Sequence, residues 1–253
     1  MQTTSTWYIK TEDLVKSYDP AKPGNTVIKN ISISISPGDF TVIMGNSGAG
    51  KSTLLYLLSG LDNLSSGKVW IDNMPVHGRS EKELAIMRRR MMGFVFQDHN
   101  LVPNLTVREN ILVAGYLINN SRKQVVEHAD HLMEELDIIP LAKRYPSQVS
   151  GGERQRAAIA RAMINHPLIL LADEPTGNLN SESSEKVMEC FSNYNGKGQT
   201  IVMVTHNLKS ACRGNRVLFL KDGSIADNHY YDINKNDEGT EDNLFTWLKE
   251  MGW

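Results

Sequence analysis

One stretch constrains the fold more than any other: Gly45-Asn46-Ser47-Gly48-Ala49-Gly50-Lys51-Ser52-Thr53. It matches the phosphate-binding pattern G-x-x-x-x-G-K-[ST] at every fixed position. Glycines let the backbone wrap closely around phosphates, and the amides at a helix start point at the anion. Lys51 adds a mobile positive charge for the β- and γ-phosphates, and the Ser52 hydroxyl can ligate Mg²⁺. The alternative is a Gly/Ser-rich turn that matches by chance.

The residues on both sides of this loop favour the phosphate-binding interpretation. Thr41–Met44 reads as a short buried strand, and Leu54–Leu58 reads as an apolar helix. Strand, loop and helix in this order form the context that the motif requires. The sequence therefore predicts a nucleotide-binding α/β core.

A second motif lies about 120 residues downstream, where the apolar strand Leu168–Ala172 ends in Asp173. In enzymes with this phosphate loop, an acidic residue at such a strand end reaches Mg²⁺. Glu174, one position further, leaves the strand on another side and can polarise a water in line with the γ-phosphate. The alternative is a buried strand that ends in two solvated acids.

Strands and helices alternate in the last third of the chain. We predict strands at 168–172, 200–205 and 216–221, with helices at 181–194 and 208–213. Such alternation is typical of a parallel sheet covered by helices. Near the start, Trp7–Lys16 reads as a strand, and residues 19–25 carry turn chemistry. Serines alternate with Ile31, Ile33 and Ile35, which predicts one half-buried strand of an antiparallel sheet.

The middle of the chain is predominantly helical. We predict a helix over Glu81–Met91, a strand over 93–96 and helical structure from Thr106 to Leu136. Ser121 and Gln124 have the spacing of a capping box for the helix that carries Leu132. Another helix follows Gly152 as far as about residue 165. Residues 80 to 160, approximately, therefore form a predicted helical subdomain inserted into the core.

The tail differs in composition from the rest of the chain. From Ala226 it is polar and acidic until Asp242, after which a short helix can carry Leu244, Leu248 and Met251 on one face. We therefore predict one domain over residues 7–225 and an acidic C-terminal extension over residues 226–253.

Composition excludes several classes of protein. The 253 residues carry a net charge of −2, which gives no overall attraction to nucleic acid. Arg88–Arg90 reads as a solvated helix face rather than a nucleic-acid patch, because no aromatic residues are interleaved. The apolar run Leu168–Ala172 is far shorter than the roughly 20 residues of a membrane span. Residues 1–6 lack the features of a signal peptide. Cys190 and Cys212 are expected to be reduced thiols in the cytoplasm.

Val149-Ser150-Gly151-Gly152-Glu153-Arg154-Gln155-Arg156 resembles the LSGGQ signature motif of ATP-binding-cassette (ABC) ATPases. Ser150, Gly151, Gly152 and Glu153 stand at a helix start, where a hydroxyl and backbone amides suit a phosphate. Because the phosphate loop already binds one nucleotide, this second phosphate-binding segment must bind a different nucleotide. The resemblance implies that it contacts the ATP of a partner subunit, and hence a homodimer.

Other family residues follow from the resemblance. Gln97 resembles the Q-loop glutamine, His206 the switch histidine near the γ-phosphate, and Gly177–Asn180 the D-loop. Tyr18 resembles the aromatic that stacks on adenine, although a tyrosine packed at a strand end is an open alternative. The family fold is a P-loop NTPase with a RecA-like parallel sheet, an antiparallel β subdomain and an inserted α-helical subdomain.

The resemblance also implies roles and cofactors. ATP and Mg²⁺ are the expected cofactors, with Mg²⁺ held by Ser52, Gln97 and Asp173. The expected catalytic residues are Glu174, His206 and Lys51. Three positions depart from the family pattern: Val149 and Glu153 replace the usual Leu and Gln of the signature, and Asn180 replaces the usual Asp of the D-loop. The last departure puts coupling between two sites of a dimer in question.

Three stretches, 88–97, 100–110 and 174–179, look like the branch of the family that includes the macrolide-export, lipoprotein-release, bacitracin-resistance and cell-division ATPases (MacB, LolD, BceA and FtsE). The resemblance implies a peripheral protein at the cytoplasmic face of the membrane that drives a permease of the MacB/FtsX type. Two alternatives stay open: a regulator of the cell-division type that transports nothing, and a soluble ABC ATPase. These residues do not identify the transported substrate.

Overall fold

The computed structural model describes residues 6–19, 25–118, 121–234, 237 and 239–253. The turn predicted at 19–25 therefore falls largely outside the described residues, as do residues 1–5. The strands are β1 (Ile9–Ser17), β2 (Thr26–Ile31), β3 (Ser34–Ile35), β4 (Phe40–Gly45), β5 (Ser66–Ile71), β6 (Met74–Pro75), β7 (Met92–Val95), β8 (Ile169–Asp173), β9 (Thr200–Val204), β10 (Arg216–Lys221) and β11 (Ser224–Asp232). The helices are α1 (Lys51–Ser59), α2 (Glu81–Met91), α3 (Val107–Gly115), α4 (Arg122–Glu135), α5 (Gly151–Met163), α6 (Ser181–Gly196), α7 (Leu208–Ala211) and α8 (Thr240–Met251).

A six-stranded sheet forms the centre of the fold, in the order β11-β10-β4-β9-β8-β7. All its pairings are parallel except the edge pair β10–β11. Every residue of β4, β8 and β9 is buried, because helices and the second sheet cover both faces of these strands. The sheet confirms the predicted α/β core of the P-loop NTPase class.

The second sheet is antiparallel, with the order β2-β1-β5-β6 and β3 paired to β1. The prediction of one continuous strand through Ile31, Ile33 and Ile35 is wrong, because β2 ends at Ile31 and β3 begins at Ser34. The cause is the Thr11 hydroxyl, which donates to the Ile31 carbonyl (2.9 Å) and accepts from the Ile33 amide (3.0 Å). The side chain thus takes the place of a ladder hydrogen bond between the strands.

The helical subdomain begins later than we predicted. Helix α2 buries Leu84, Met87 and Met91 in the same apolar cluster as the α1 leucines, and β7 is an edge strand of the central sheet. Helices α3, α4 and α5 instead pack on one another and share the other large cluster. The apolar face of α2 therefore places it with the nucleotide-binding core.

The capping box predicted at Ser121 is wrong. The Ser121 side chain makes no hydrogen bond to the start of α4. Boxes do form at Ser80, Thr106 and Ser150, and each has a glutamate three residues on. An ionised carboxylate accepts a stronger, charge-assisted hydrogen bond from the cap amide than the neutral side chain of Gln124 would.

The C-terminal segment is integrated into the fold. The boundary that we predicted between residues 225 and 226 lies inside β11, which pairs with β10. The amphipathic helix is present as α8, and its Leu244 and Leu248 are fully buried in the cluster shared with β4 and β10. The sequence pattern did not predict β11, because this segment is largely polar. An edge strand is stabilised by backbone pairing, which leaves no apolar pattern in the sequence.

No helix in the described part of the chain is long and apolar enough to cross a membrane. Cys190 and Cys212 are both free thiols. Burial raises the pKa of each to about 11, so both are un-ionised and weakly reactive near neutral pH.

Gly45→Ala is expected to lower the free energy of unfolding by about 3 kcal/mol or more. A Cβ at this position would lie 2.1 Å from the Leu220 carbonyl oxygen of the neighbouring strand, and φ is +150°. Urea denaturation measures the effect. Gly196→Ala at the end of α6 is the control, because no atom lies within 4 Å of its Cβ position. Equal stability of the two variants would contradict the steric argument.

Candidate nucleotide-binding site

The loop between β4 and α1 has the geometry of a phosphate cradle. Gly48 and Gly50 have φ values of +78° and +100°, a left-handed backbone that suits glycine. Gly50 is also the N-cap of α1 and provides no side-chain cap. The first amides of the helix thus remain available to an anion. The Lys51 Nζ donates to the carbonyls of Gly45 (2.8 Å) and Asn46 (3.0 Å), which holds the charge over the loop.

A pocket of about 350 Å³ lies against this loop, and its wall includes Tyr18 and Glu174. The loop residues that line it are Ser47, Gly48, Gly50, Lys51, Ser52 and Thr53. Tyr18 is 61% exposed, and its hydroxyl donates to Asp62 (2.9 Å) while the Lys16 ammonium lies over its ring. The structure therefore places Tyr18 at the pocket as a largely exposed ring, and its stacking on adenine stays a prediction.

Asp173 connects the end of β8 to α1. Its two carboxylate oxygens accept hydrogen bonds from Ser52 (2.9 Å) and Tyr56 (2.8 Å). Burial and the hydrogen bond to Asp173 raise the pKa of Tyr56 to about 12. We did not identify Tyr56 from the sequence, although its position one helical turn after Ser52 is the signal that could have revealed it. A hydroxyl and a carboxylate this close are hard oxygen donors of the kind that Mg²⁺ takes.

Glu174 points away from Asp173 and meets His206. Its Oε1 lies 3.0 Å from the His206 Nδ1, and its Oε2 accepts from the His206 amide at 3.4 Å. The Glu174 backbone is left-handed at φ +46°, and its amide donates to Val204 on β9. The Glu174 side chain is only 15% exposed, whereas that of His206 is 66% exposed. A strained residue held between two strands is typical of a functional position.

Gln97 lies beside the D-loop. Its amide donates to Asn178 (3.3 Å), and the Asn178 amide donates to Asp98 (3.0 Å). Among the described residues, Gln97 makes no hydrogen bond with Ser52 or Asp173. Gln97 therefore contacts the D-loop, and its role as a Mg²⁺ ligand stays a prediction. Sequence reasoning missed the roles of Asp98 and Asn178, because they depend on a contact between distant segments.

The signature segment stands at the start of α5. Ser150 is its N-cap, with a capping box in which the Ser150 amide donates to the Glu153 carboxylate (2.7 Å). This backbone hydrogen bond lowers the pKa of Glu153. Of the described residues that line the pocket at the phosphate loop, none belongs to 150–153. The phosphate loop and the signature segment of one chain therefore do not line the same pocket.

A family model described as "ABC transporter" matches residues 28–177, more than half of the chain. The chain belongs to the ABC transporter family. It is 45% identical over 203 residues to the lipoprotein-releasing system ATP-binding protein LolD of Aquifex aeolicus, covering 80% of this chain and 91% of the relative. It is 40% identical over 245 residues to the bacitracin export ATP-binding protein BceA of Halalkalibacterium halodurans, covering 96% and 95%. These relatives confirm the predicted branch of ABC ATPases.

Solved ABC cassettes share the fold. A dimeric, post-hydrolysis structure of the cassette MJ0796 of Methanocaldococcus jannaschii, bound to ADP and Pi, has a TM-score of 0.77 and 37% identity, covering 88% of this chain and 98% of that one. The cbiO1 protein of Clostridium perfringens has a TM-score of 0.81 and 25% identity, covering 98% and 94%. The similarity supports ATP as the nucleotide of this cassette.

The departures from the ABC pattern have structural roles. Asn180 is the N-cap of α6, and its side-chain oxygen accepts from the Ser183 amide at 2.8 Å. An aspartate would cap the helix in the same way, so the substitution keeps the D-loop geometry. Val149 is buried in the cluster beneath α5, where a smaller aliphatic side chain still fits.

Acid is expected to destabilise this cassette through His99, which is buried and lies 3.0 Å (Nε2) from the Gly151 carbonyl oxygen. Burial holds the pKa of His99 below its ordinary value. The unfolded chain therefore binds more protons below about pH 6.5. We expect the free energy of unfolding to be constant above about pH 7 and to fall progressively below about pH 6.5.

Urea denaturation across this pH range checks the expectation. His99→Gln should reduce the slope, whereas His131→Gln should leave it unchanged because His131 is exposed on α4. Part of the slope should persist in both variants, because burial and the neighbouring His166 also lower the pKa of His128. An identical slope in wild type and His99→Gln would contradict the role of His99.

Proposed function

We propose that this chain is the ATP-hydrolysing subunit of a membrane transporter and that two copies close around two ATP molecules. Each ATP would lie between Gly45–Thr53 of one copy and Ser150–Glu153 of the other. Two features support this arrangement: the signature segment stays outside its own chain's pocket, and a relative at 37% identity was solved as a dimer with ADP and Pi.

The chemistry follows from the hydrogen bonds at the pocket. The observation that carries the proposal is the 3.0 Å contact between Glu174 and His206 at the wall of the phosphate-loop pocket. Glu174 holds the attacking water and accepts its proton, while His206 and Lys51 stabilise charge on the γ-phosphate. Fixed groups in a partly enclosed site need little reorganisation as charge develops, so positioning and electrostatics supply most of the acceleration.

The Mg²⁺ that accompanies ATP in this reaction class would be held by Ser52 and Asp173, whose oxygens are 2.9 Å apart. When bound, Mg²⁺ supplies charge neutralisation at the β- and γ-oxygens. Gln97 is the third proposed ligand through its Oε1, because its Nε2 is the atom that donates to Asn178. The described residues contain no cluster of three His, Cys, Asp or Glu side chains for a metal. This fits Mg²⁺, which takes most ligands from phosphates and water.

The proposed membrane partner is a permease that docks beside Gln97 and α3. An exposed apolar surface, which we call the α3 surface, consists of Val102, Val113, Tyr116 and Leu117, each at least 45% exposed. Val113, Tyr116 and Leu117 lie three and four residues apart at the end of α3 and so share one face, and exposed apolar side chains grouped in this way indicate an interaction site. The names of the relatives, which cite lipoprotein release, bacitracin export and macrolide export, suggest the substrate classes. The protein would then be peripheral at the cytoplasmic face of the membrane.

Purification of the tagged chain from its native membrane, followed by mass spectrometry of bound proteins, tests this proposal. A permease with a large extracytoplasmic domain should be recovered. Val113→Glu should abolish its recovery, whereas the control Ile86→Glu, at a similarly exposed isoleucine on α2, should not. Recovery of soluble partners alone would reject the transport function. A permease without any export phenotype would instead favour a regulator of the cell-division type.

A further inference from the structure

A second cavity lies at the other end of β4 from the phosphate loop, with a volume of about 300 Å³. The segment Ser32–Ser36 forms one wall, and β10 and β11 form the other. Thr41 and Arg216, which pair in register on the parallel strands β4 and β10, lie side by side in its lining. Thr41 is four residues before Gly45, so the cavity is about 13 Å along the strand from the phosphate loop.

Arg216 is held in a fixed plane at this cavity. Its Nε lies 3.4 Å from Asp232, and its guanidinium carbon is 3.9 Å from the centre of the Tyr230 ring. Among the described residues, neither of its Nη groups has a hydrogen-bond acceptor. A stacked guanidinium whose two Nη groups are free among the described residues is a preorganised fork for a carboxylate.

Thr41 gives an independent indication of a ligand. The residue is fully buried, and its hydroxyl oxygen has no hydrogen-bond partner in the described structure. A buried polar group without a partner is costly, and native proteins rarely keep one without a reason. A ligand oxygen at Arg216 would stand next to this hydroxyl, because the two residues are neighbours on adjacent strands.

The other residues that line the cavity, together with its size and charge, restrict the class of ligand further. Ile33, Leu218 and Ile225 supply an apolar surface beside the polar pair. A cavity of about 300 Å³ has room for a small organic molecule and not only for a single water. One guanidinium with Asp232 beside it suits a single negative charge better than the two charges of a phosphate.

We propose that this cavity binds a small monocarboxylate with an apolar body. The carboxylate accepts from the Arg216 Nη groups and from the Thr41 hydroxyl, while the hydrocarbon part packs on Ile33 and Leu218. The site is separate from the nucleotide pocket, and the proposal does not depend on the ATPase function.

Titration of the full chain with benzoate, followed by calorimetry or ligand-observed NMR, tests the proposal. We expect a dissociation constant on the order of 1 mM, because the ligand is small. Benzamide has the same shape without the charge and should bind at least about tenfold more weakly. Arg216→Gln should weaken benzoate binding by a similar factor. The control Arg213→Gln removes an arginine that is paired with Glu185 elsewhere, and it should have no effect.

Thr41→Val provides a second test that does not depend on the charge. The variant should unfold no more readily than wild type, because the hydroxyl that it removes has no partner. It should nevertheless bind benzoate several-fold more weakly. Absence of saturable benzoate binding, equal binding of benzamide, or wild-type affinity in Arg216→Gln would each overturn the proposal.

Discussion

Glu174→Gln is expected to lower steady-state ATP hydrolysis by about 10²- to 10⁴-fold, the usual contribution of a general base. The substitution keeps the size of the side chain and an acceptor oxygen for His206, so the 3.0 Å contact can persist. A neutral amide cannot accept the proton of the attacking water. We expect ATP affinity to stay within about threefold of wild type, because Lys51 and the loop amides are unchanged.

A second measurement distinguishes the loss of a general base from other causes of low ATPase activity. If two copies close around ATP, the inactive variant should accumulate as an ATP-bound dimer, which size-exclusion chromatography with ATP detects. Glu185→Gln is the matched control, because Glu185 lies near His206 but pairs with Arg213 instead. Turnover in Glu174→Gln close to that of Glu185→Gln would show that another group activates the water.

The backbone of Glu174 is held in a strained conformation. Its φ of +46° costs energy for a residue with a side chain, and the hydrogen bond from its amide to Val204 helps to hold it. Asp173, in regular strand geometry, points to Ser52, whereas Glu174 turns towards His206. The two adjacent carboxylates thus point in different directions, and their roles at Mg²⁺ and at the attacking water stay predictions.

Local features of the sequence predicted the core because they act over short distances. The apolar runs of β4, β8 and β9 are buried on both faces, so their hydrophobicity alone identified them. The phosphate loop is likewise local, since glycines and one lysine fix its geometry. β11 was missed for the opposite reason: its polar sequence says nothing about the backbone pairing that stabilises it.

Contacts between distant segments account for most of what the sequence did not reveal. The Thr11 hydroxyl interrupts the predicted strand from 20 residues away, at the Ile31 carbonyl. Tyr56 reaches Asp173 across 117 residues, and Gln97 meets Asn178 across 81. None of these pairings has a periodic signature, because each depends on the tertiary fold that brings the two segments together.

Lys51→Ala is expected to weaken ATP binding by about 10- to 150-fold, the equivalent of one charge-assisted hydrogen bond of roughly 1.5–3 kcal/mol. Two loop carbonyls now hold the Lys51 ammonium over the loop. Without this side chain the loop has no positive charge to bind a phosphate. Equilibrium titration with a fluorescent ATP analogue measures the affinity. The free energy of unfolding should change by less than about 1 kcal/mol, because alanine is a good helix former at the start of α1.

The effects on ATP affinity and on the maximal rate, taken together, distinguish the role of Lys51 from that of Glu174. Lys51→Ala should lower affinity, because the charge faces the phosphates of bound ATP, and should also lower the maximal rate, because this interaction strengthens as charge develops in the transition state. Glu174→Gln should lower the rate alone. The control Lys209→Ala removes an exposed lysine on α7, three residues after His206, and should leave both quantities unchanged. If Lys51→Ala keeps wild-type affinity and turnover, residues 45–53 do not form the phosphate site, and the proposed catalytic arrangement fails with them.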